Sequence, residues 1–110
     1  MKQYTLPEQT AKLIELGFEK PSSIASVEPI YGMGGISVAK AYTIGELLSF
    51  LPENIAKENE MPSTLNISLM NGEWCVQYAD FLGTDFEFCN TELVDALYDM
   101  LVKLKEKGVI

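Results

Sequence analysis

The sequence contains no histidine and only two cysteines, and these shortages exclude several kinds of site. Without histidine, no imidazole is present to act as the base for a serine or cysteine nucleophile. Two cysteines alone are too few soft ligands for a structural zinc site. We therefore predict no catalytic residues, no metal site and no cofactor, and we expect a protein that is not an enzyme.

Positive charge is also scarce, since eight Lys and Arg stand against sixteen Asp and Glu, for a formal net charge of −8. Binding to nucleic acid requires clustered cations that neutralise phosphates. The one cluster is formed by Lys103, Lys105 and Lys107, at a place where lysines stabilise the C-terminal end of a helix. We therefore expect no nucleic acid partner and no membrane partner.

Long apolar segments are missing as well, because no run approaches the roughly 18 residues of a membrane helix. The first ten residues, MKQYTLPEQT, lack the apolar stretch of a signal peptide. These features predict a cytoplasmic protein, and in that compartment the two cysteines are expected to be reduced thiols.

What is present indicates one ordered domain over residues 1–110. Hydrophobic residues make up 47% of the chain and charged residues 22%, which is typical of a globular protein. Three helices are predicted, at about 7–16, 43–51 and 91–107. Their proposed N-caps are Thr5, Thr43 with Glu46 as a capping box, and Asn90, while Gly17, Pro52 and Gly108 mark their ends.

The segment 64–80 carries the clearest local signal, an Asn71-Gly72 pair between two alternating apolar runs. Such a pair favours a two-residue type I′ hairpin turn. Counting outward from the turn places six apolar residues on one face, namely Leu65, Ile67, Leu69, Trp74, Val76 and Tyr78. The opposite face carries small and polar residues, so we expect one face in the core and the other in solvent.

A third strand follows at about 84–89, and we predict a three-residue loop, 81–83, that pairs Asp80 with Thr84. This register sets Tyr78 opposite Phe86 and Cys75 opposite Cys89. The two cysteines would then form a non-hydrogen-bonded pair close enough for a disulfide. Cys75 and Cys89 are therefore a candidate redox pair, although the predicted compartment favours two free thiols.

The glycine-rich segment 32–35 raises a second alternative, because glycines can cradle a phosphate at the start of a helix. The next helix begins eight residues later, at Thr43, which disfavours a phosphate site. We therefore predict a hairpin at 24–42 with the glycines at its tip. A small-ligand site or an enzyme site near this segment remains the alternative function.

The fold class predicted from these patterns is α+β, with three helices covering one face of a three-stranded antiparallel meander at about 64–70, 74–80 and 84–89. The polar face of the sheet, represented by Asn66, Ser68 and Gln77, is the candidate partner surface. We expect an unidentified protein partner and a chain that is a monomer or a weak homodimer.

The motifs AYTIGELLSFLP, WCVQYADF and ELVDALYDMLVKLKEKGVI together resemble small uncharacterised proteins of phages, prophages and other mobile elements of gut Bacteroidetes. The resemblance spans most of the chain and is looser over residues 20–40. It implies a phage or mobile-element origin and an α+β fold, and it brings no activity, ligand or catalytic residue. The function expected on this basis is that of a small accessory protein acting by protein–protein interaction.

Overall fold

The computed structural model describes residues 2–21, 23–26, 38–57 and 60–110. Its elements follow in the order α1 (Pro7–Glu15), β1 (Ser23–Ser26), β2 (Val38–Ala41), α2 (Ile44–Phe50), β3 (Asn54–Lys57), β4 (Glu60–Met70), β5 (Glu73–Asp80), β6 (Gly83–Asn90) and α3 (Leu93–Glu106). The antiparallel order β3-β4-β5-β6 and the packing of α3 on β5 and β6 confirm the α+β fold.

The helix ends follow the local sequence signals with small differences. Thr43 and Glu46 form the predicted capping box at the start of α2. Gly17 and Gly108 have φ values of 97° and 72°, and the residue after each glycine donates its amide to a carbonyl of the last helical turn. This bonding is the Schellman pattern, which satisfies carbonyls left open at a helix end.

Two predicted N-caps are wrong. The N-cap of α1 is Leu6, because the hydroxyl of Thr5 is already engaged with Thr10 and with the amide of Tyr42. The N-cap of α3 is Glu92, and Asn90 instead accepts the amide hydrogen of Glu92 through its side-chain oxygen. In both cases the polar side chain satisfies a nearby amide, but outside the helix itself.

The β4–β5 hairpin has the predicted register. Asn71 has a φ of 52° and Gly72 a φ of 80°, as a type I′ turn requires, and Met70 pairs with Glu73 across it. Leu65 lies opposite Tyr78 and Ile67 opposite Val76. The apolar face of the hairpin is therefore the face that meets the helices.

The turn between β5 and β6 differs from the prediction. Asp80 pairs with Gly83, not with Thr84, so that the loop holds only Phe81 and Leu82. A bulge at Asp85 takes up the extra residue, and beyond it Tyr78 lies opposite Phe86 as predicted. The loop prediction was wrong, while the pairing farther along the strands is confirmed.

The segment after α2 is also corrected. The predicted meander had three strands and began at about residue 64, whereas the structure adds the strand β3 and starts β4 at Glu60. Asn54 pairs with Thr64 and Ile55 with Ser63, which makes the sheet four-stranded. Ile55 is the main apolar residue of β3, so the strand shows no clear alternation of apolar and polar residues. Its extended conformation therefore depends on pairing with β4.

The predicted hairpin at 24–42 is present in its two strands. β1 and β2 pair antiparallel, from Ser23 with Ala41 to Ser26 with Val38, as a separate two-stranded sheet. The predicted glycine tip at 32–35 lies outside the described residues, as does the alternative ligand site proposed near it.

One core joins the helices to the inner face of the four-stranded sheet. Leu13 of α1, Leu47 of α2 and Leu97 of α3 have no solvent-exposed surface, and neither do Val76 and Tyr78 of β5. The Tyr78 hydroxyl donates to the Pro52 carbonyl at 2.7 Å. Burial raises the pKa of Tyr78 to about 12, so the phenol is neutral at physiological pH.

Candidate functional site

The face of the sheet that points away from α3 is the candidate site, and we call it the open face. The core shared with the helices lies on the opposite face, which contributes Val76 and Tyr78 to it. The alternation of the strands assigns twelve residues to it: Asn54, Thr64, Asn66, Ser68, Met70, Glu73, Cys75, Gln77, Ala79, Thr84, Glu87 and Cys89.

The three residues predicted as a partner surface lie together on this face. Asn66 of β4 pairs with Gln77 of β5, and Ser68 lies one position farther along, opposite Cys75. Asn66 is exposed, and Ser68 and Gln77 are half-buried between their neighbours. The structure therefore brings the predicted residues onto one surface, in adjacent rows.

The row of the open face that contains Ser68 also contains a disulfide between Cys75 and Cys89, whose Cα atoms are 4.1 Å apart. The predicted pairing is confirmed, but the expectation of two reduced thiols is not met, because the thiols are joined. Cys89 is exposed on the edge strand β6, whereas Cys75 is half-buried on β5. The bridge is thus accessible from solvent on the side of the candidate surface.

The charged side chains of β4, β5 and β6 are all acidic. The sequence has no lysine or arginine from residue 58 to residue 102, a stretch that includes the whole of β4, β5 and β6. Glu73 and Glu87 are exposed carboxylates on the open face. On β4, β5 and β6 this surface is therefore polar and weakly acidic, and these three strands contribute no lysine or arginine to it.

The end of the open face is formed by the tip of the β5–β6 hairpin, Phe81 and Leu82, which sequence reasoning did not select. Their side chains are 78% and 77% exposed. Asp80 accepts the amide hydrogens of Leu82 at 2.8 Å and Gly83 at 3.1 Å, so the turn is fixed by its own carboxylate. The available signal was two large apolar residues in a turn that normally takes polar residues or glycine.

The base of this hairpin is held from the side by a polar contact across the sheet. The hydroxyl of Ser63 on β4 donates to the carboxylate of Asp85 at the bulge of β6. Ser63 is fully buried, whereas Asp85 is exposed, so the contact is shielded from water only at its hydroxyl end. A buried hydroxyl bonded to a carboxylate favours one geometry for the bulge, because a shift would leave the hydroxyl unsatisfied.

Other features of the described residues are less informative. A groove of about 370 Å³ lies between β3 and residues 108–110, and it is lined by Pro52, Asn54, Ile55 and Ala56 together with those residues. Within 2–21, 23–26, 38–57 and 60–110, no group of His, Cys, Asp and Glu side chains is arranged to hold a metal ion. In the same part of the chain, none of the helices has the length and apolar character needed to cross a membrane.

Comparisons with protein-family models, with curated proteins and with solved structures find no match for this chain. Its function must therefore be argued from the site itself.

Proposed function

We propose that the protein is a small accessory protein that binds a protein partner through the open face of its four-stranded sheet. The observation that carries this proposal is a solvent-accessible sheet face on which β4, β5 and β6 present small polar residues, two exposed carboxylates and no lysine or arginine. Among the described elements, all three helices contribute residues to the core on the opposite face of the sheet.

The charge of this face determines the kind of partner that suits it. A surface with carboxylates and no lysine or arginine is complementary to a partner surface that carries cations. Complementary charge raises the association rate and rejects partners of like charge, while the hydrogen-bonding groups of Asn66, Ser68 and Gln77 can fix the orientation. We therefore propose a partner protein with a basic, hydrogen-bonding contact surface.

A phage or mobile-element origin and a cytoplasmic location, both predicted above, are parts of the same proposal. The disulfide weighs against a location that is continuously reducing, because such compartments keep most thiols unpaired. Affinity purification with and without reductant therefore tests whether the partner is bound by the bridged protein or by the reduced protein.

The test is affinity purification of the tagged protein from the cells that express it, followed by mass spectrometry. Two variants with the same change in net charge are compared. Asn66→Lys with Gln77→Lys adds two positive charges to the open face, whereas Glu15→Lys makes the same change on an exposed position of α1.

We expect the open-face variant to lose the specific partner by at least about tenfold, because each lysine faces a basic surface. The Glu15→Lys protein should retain the partner. Equal retention by both variants would contradict the proposal, and equal loss would show that only the net charge matters.

A further inference from the structure

The β5–β6 hairpin tip presents two adjacent apolar side chains to solvent. Phe81 and Leu82 are the most exposed large apolar residues in the part of the chain that the structure describes. In the neighbouring β4–β5 hairpin, the same two positions hold Asn71 and Gly72, which suit a turn. Phe81 and Leu82 contribute neither to the core nor to the turn geometry, so their apolar surface is available for a contact outside the chain.

The tip is held in a defined geometry before any partner binds. Asp80 bonds to two turn amides on one side, and the Ser63–Asp85 contact fixes the bulge on the other. Apolar side chains on an ordered turn lose less conformational freedom on binding than the same side chains on a loose loop. This arrangement favours the tip as an anchor in an interface.

The charged residues around the tip determine which kind of partner surface can bind it. Asp80 and Asp85 flank the two apolar residues, and Glu87 follows on the open face. An anionic lipid surface repels such carboxylates. A protein pocket with an apolar floor and a rim of lysine or arginine complements both the apolar side chains and the charges around them.

We propose that Phe81 and Leu82 insert into an apolar pocket of a partner protein whose rim carries basic residues. This inference rests on the proposed function, because it adds a second contact at the end of the same open face. In protein interfaces a few large side chains, often aromatic, supply much of the affinity when they fill a desolvated pocket. Phe81 is the residue of this surface that fits that role.

The first experiment is site-specific photo-crosslinking in the cells that express the protein. p-Benzoylphenylalanine replaces Phe81 at the tip, Asn66 on the open face or Leu48 on α2, the last as an exposed apolar control. We expect a crosslink to the same protein from positions 81 and 66, and none from position 48. The crosslinked partner peptide at position 81 should contain apolar residues together with lysine or arginine.

The second experiment measures the affinity of the purified partner for tip variants. Phe81→Ser with Leu82→Asn removes the apolar surface and inserts residues that turns favour, so the hairpin should keep its stability. We expect the affinity to fall at least about tenfold, which is the loss typical of interface anchor residues. Leu48→Ser should leave the affinity unchanged.

The outcomes separate this inference from the proposed function. A crosslink from position 66 without one from position 81, or an unchanged affinity of the Phe81→Ser, Leu82→Asn protein, overturns the role of the tip and leaves the open face in place. A crosslink from position 81 alone supports the tip and contradicts the open face. Crosslinks from position 81 to lipid only overturn the protein pocket, and no crosslink from either position overturns both proposals.

Discussion

Cys75 and Cys89 face each other across β5 and β6 with their Cα atoms 4.1 Å apart and are joined by a disulfide on the open face. Met70 and Glu73 close the two-residue turn as a hydrogen-bonded pair, and alternation makes Ser68 and Cys75 another. On its other side Cys75 therefore forms a non-hydrogen-bonded pair with Cys89. Such pairs bring Cα atoms closest in an antiparallel sheet. The bridge therefore joins two residues that the sheet already places together.

Removal of this bridge should lower stability without changing the fold. The cysteines are separated by 14 residues, and closing a loop of that size is worth about 3 kcal/mol in the chain-entropy description. We expect Cys75→Ser with Cys89→Ser to lower the free energy of unfolding by about 2–3 kcal/mol. The measurement is urea denaturation of the oxidised protein, the reduced protein and the double variant.

The reduced wild-type protein is the matched control, because it should unfold at nearly the same urea concentration as the double variant. Alkylation of the oxidised protein should modify neither cysteine until a reductant is added. Modification of both cysteines without reductant would contradict the bridge.

The register of the sheet was predictable because a local signal specified it. Asn71-Gly72 specifies a two-residue turn, and from that turn the alternation of apolar residues determines which side chains face the helices. The same counting placed Asn66 and Gln77 side by side and Cys75 opposite Cys89. The candidate partner surface could therefore be located from sequence, although its function could not.

Features that depend on tertiary contacts were not predictable. β3 forms because β4 offers a free edge, and its own residues have no alternating pattern. The bulge at Asp85 shortens the predicted three-residue loop to two residues, and its bond to the distant Ser63 has no local sequence signal. Thr5 and Asn90 are typical capping residues whose side chains bond elsewhere in the folded chain.

The Ser63–Asp85 contact should stabilise the base of the β5–β6 hairpin. Ser63→Ala removes a buried hydroxyl donor, and Asp85→Asn removes the charge of its acceptor, so each should lower the free energy of unfolding by about 1–3 kcal/mol. If the two groups act on each other, the double variant should lose less than the sum of the single losses. Strict additivity in urea denaturation would contradict a coupled contact.

Tyr78 should contribute stability through its hydroxyl as well as its ring. Its hydrogen bond to the Pro52 carbonyl ties β5 to the end of α2, so Tyr78→Phe should cost about 1 kcal/mol at neutral pH. Burial raises the pKa of Tyr78 to about 12, whereas the ordinary tyrosine pKa is about 10.

A raised pKa means that this phenol stabilises the fold while it is protonated, and that the contribution is lost as the pH rises from about 10 through 12. Thermal unfolding between pH 8 and 11 should therefore show a smaller alkaline loss of stability for Tyr78→Phe than for the wild type. Parallel losses in the two proteins would contradict a buried, neutral Tyr78.

Asp95 and Asp99 lie one turn apart on α3. Replacing each by asparagine should change the stability of the protein in opposite directions. Partial burial alone would raise the pKa of Asp95, but hydrogen bonds from Lys2 at 2.6 Å and Gln9 at 2.8 Å, with the charge of Lys2, outweigh burial and lower it. Burial raises the pKa of Asp99, and the negative charge of Asp95 raises it further.

Asp95→Asn should therefore destabilise the protein at neutral pH, and the difference from the wild type should shrink as the pH falls through the lowered pKa of Asp95. Asp99→Asn should have the opposite effect, because it removes a carboxylate whose ionised form is disfavoured in the fold. Its advantage should be absent in acid, where Asp99 is protonated, and should appear as the pH rises above the ordinary aspartate pKa of about 4. Chemical denaturation of both variants at pH 3, 5 and 7 tests the two signs together, and a loss of stability with Asp99→Asn at pH 7 would contradict the assignment.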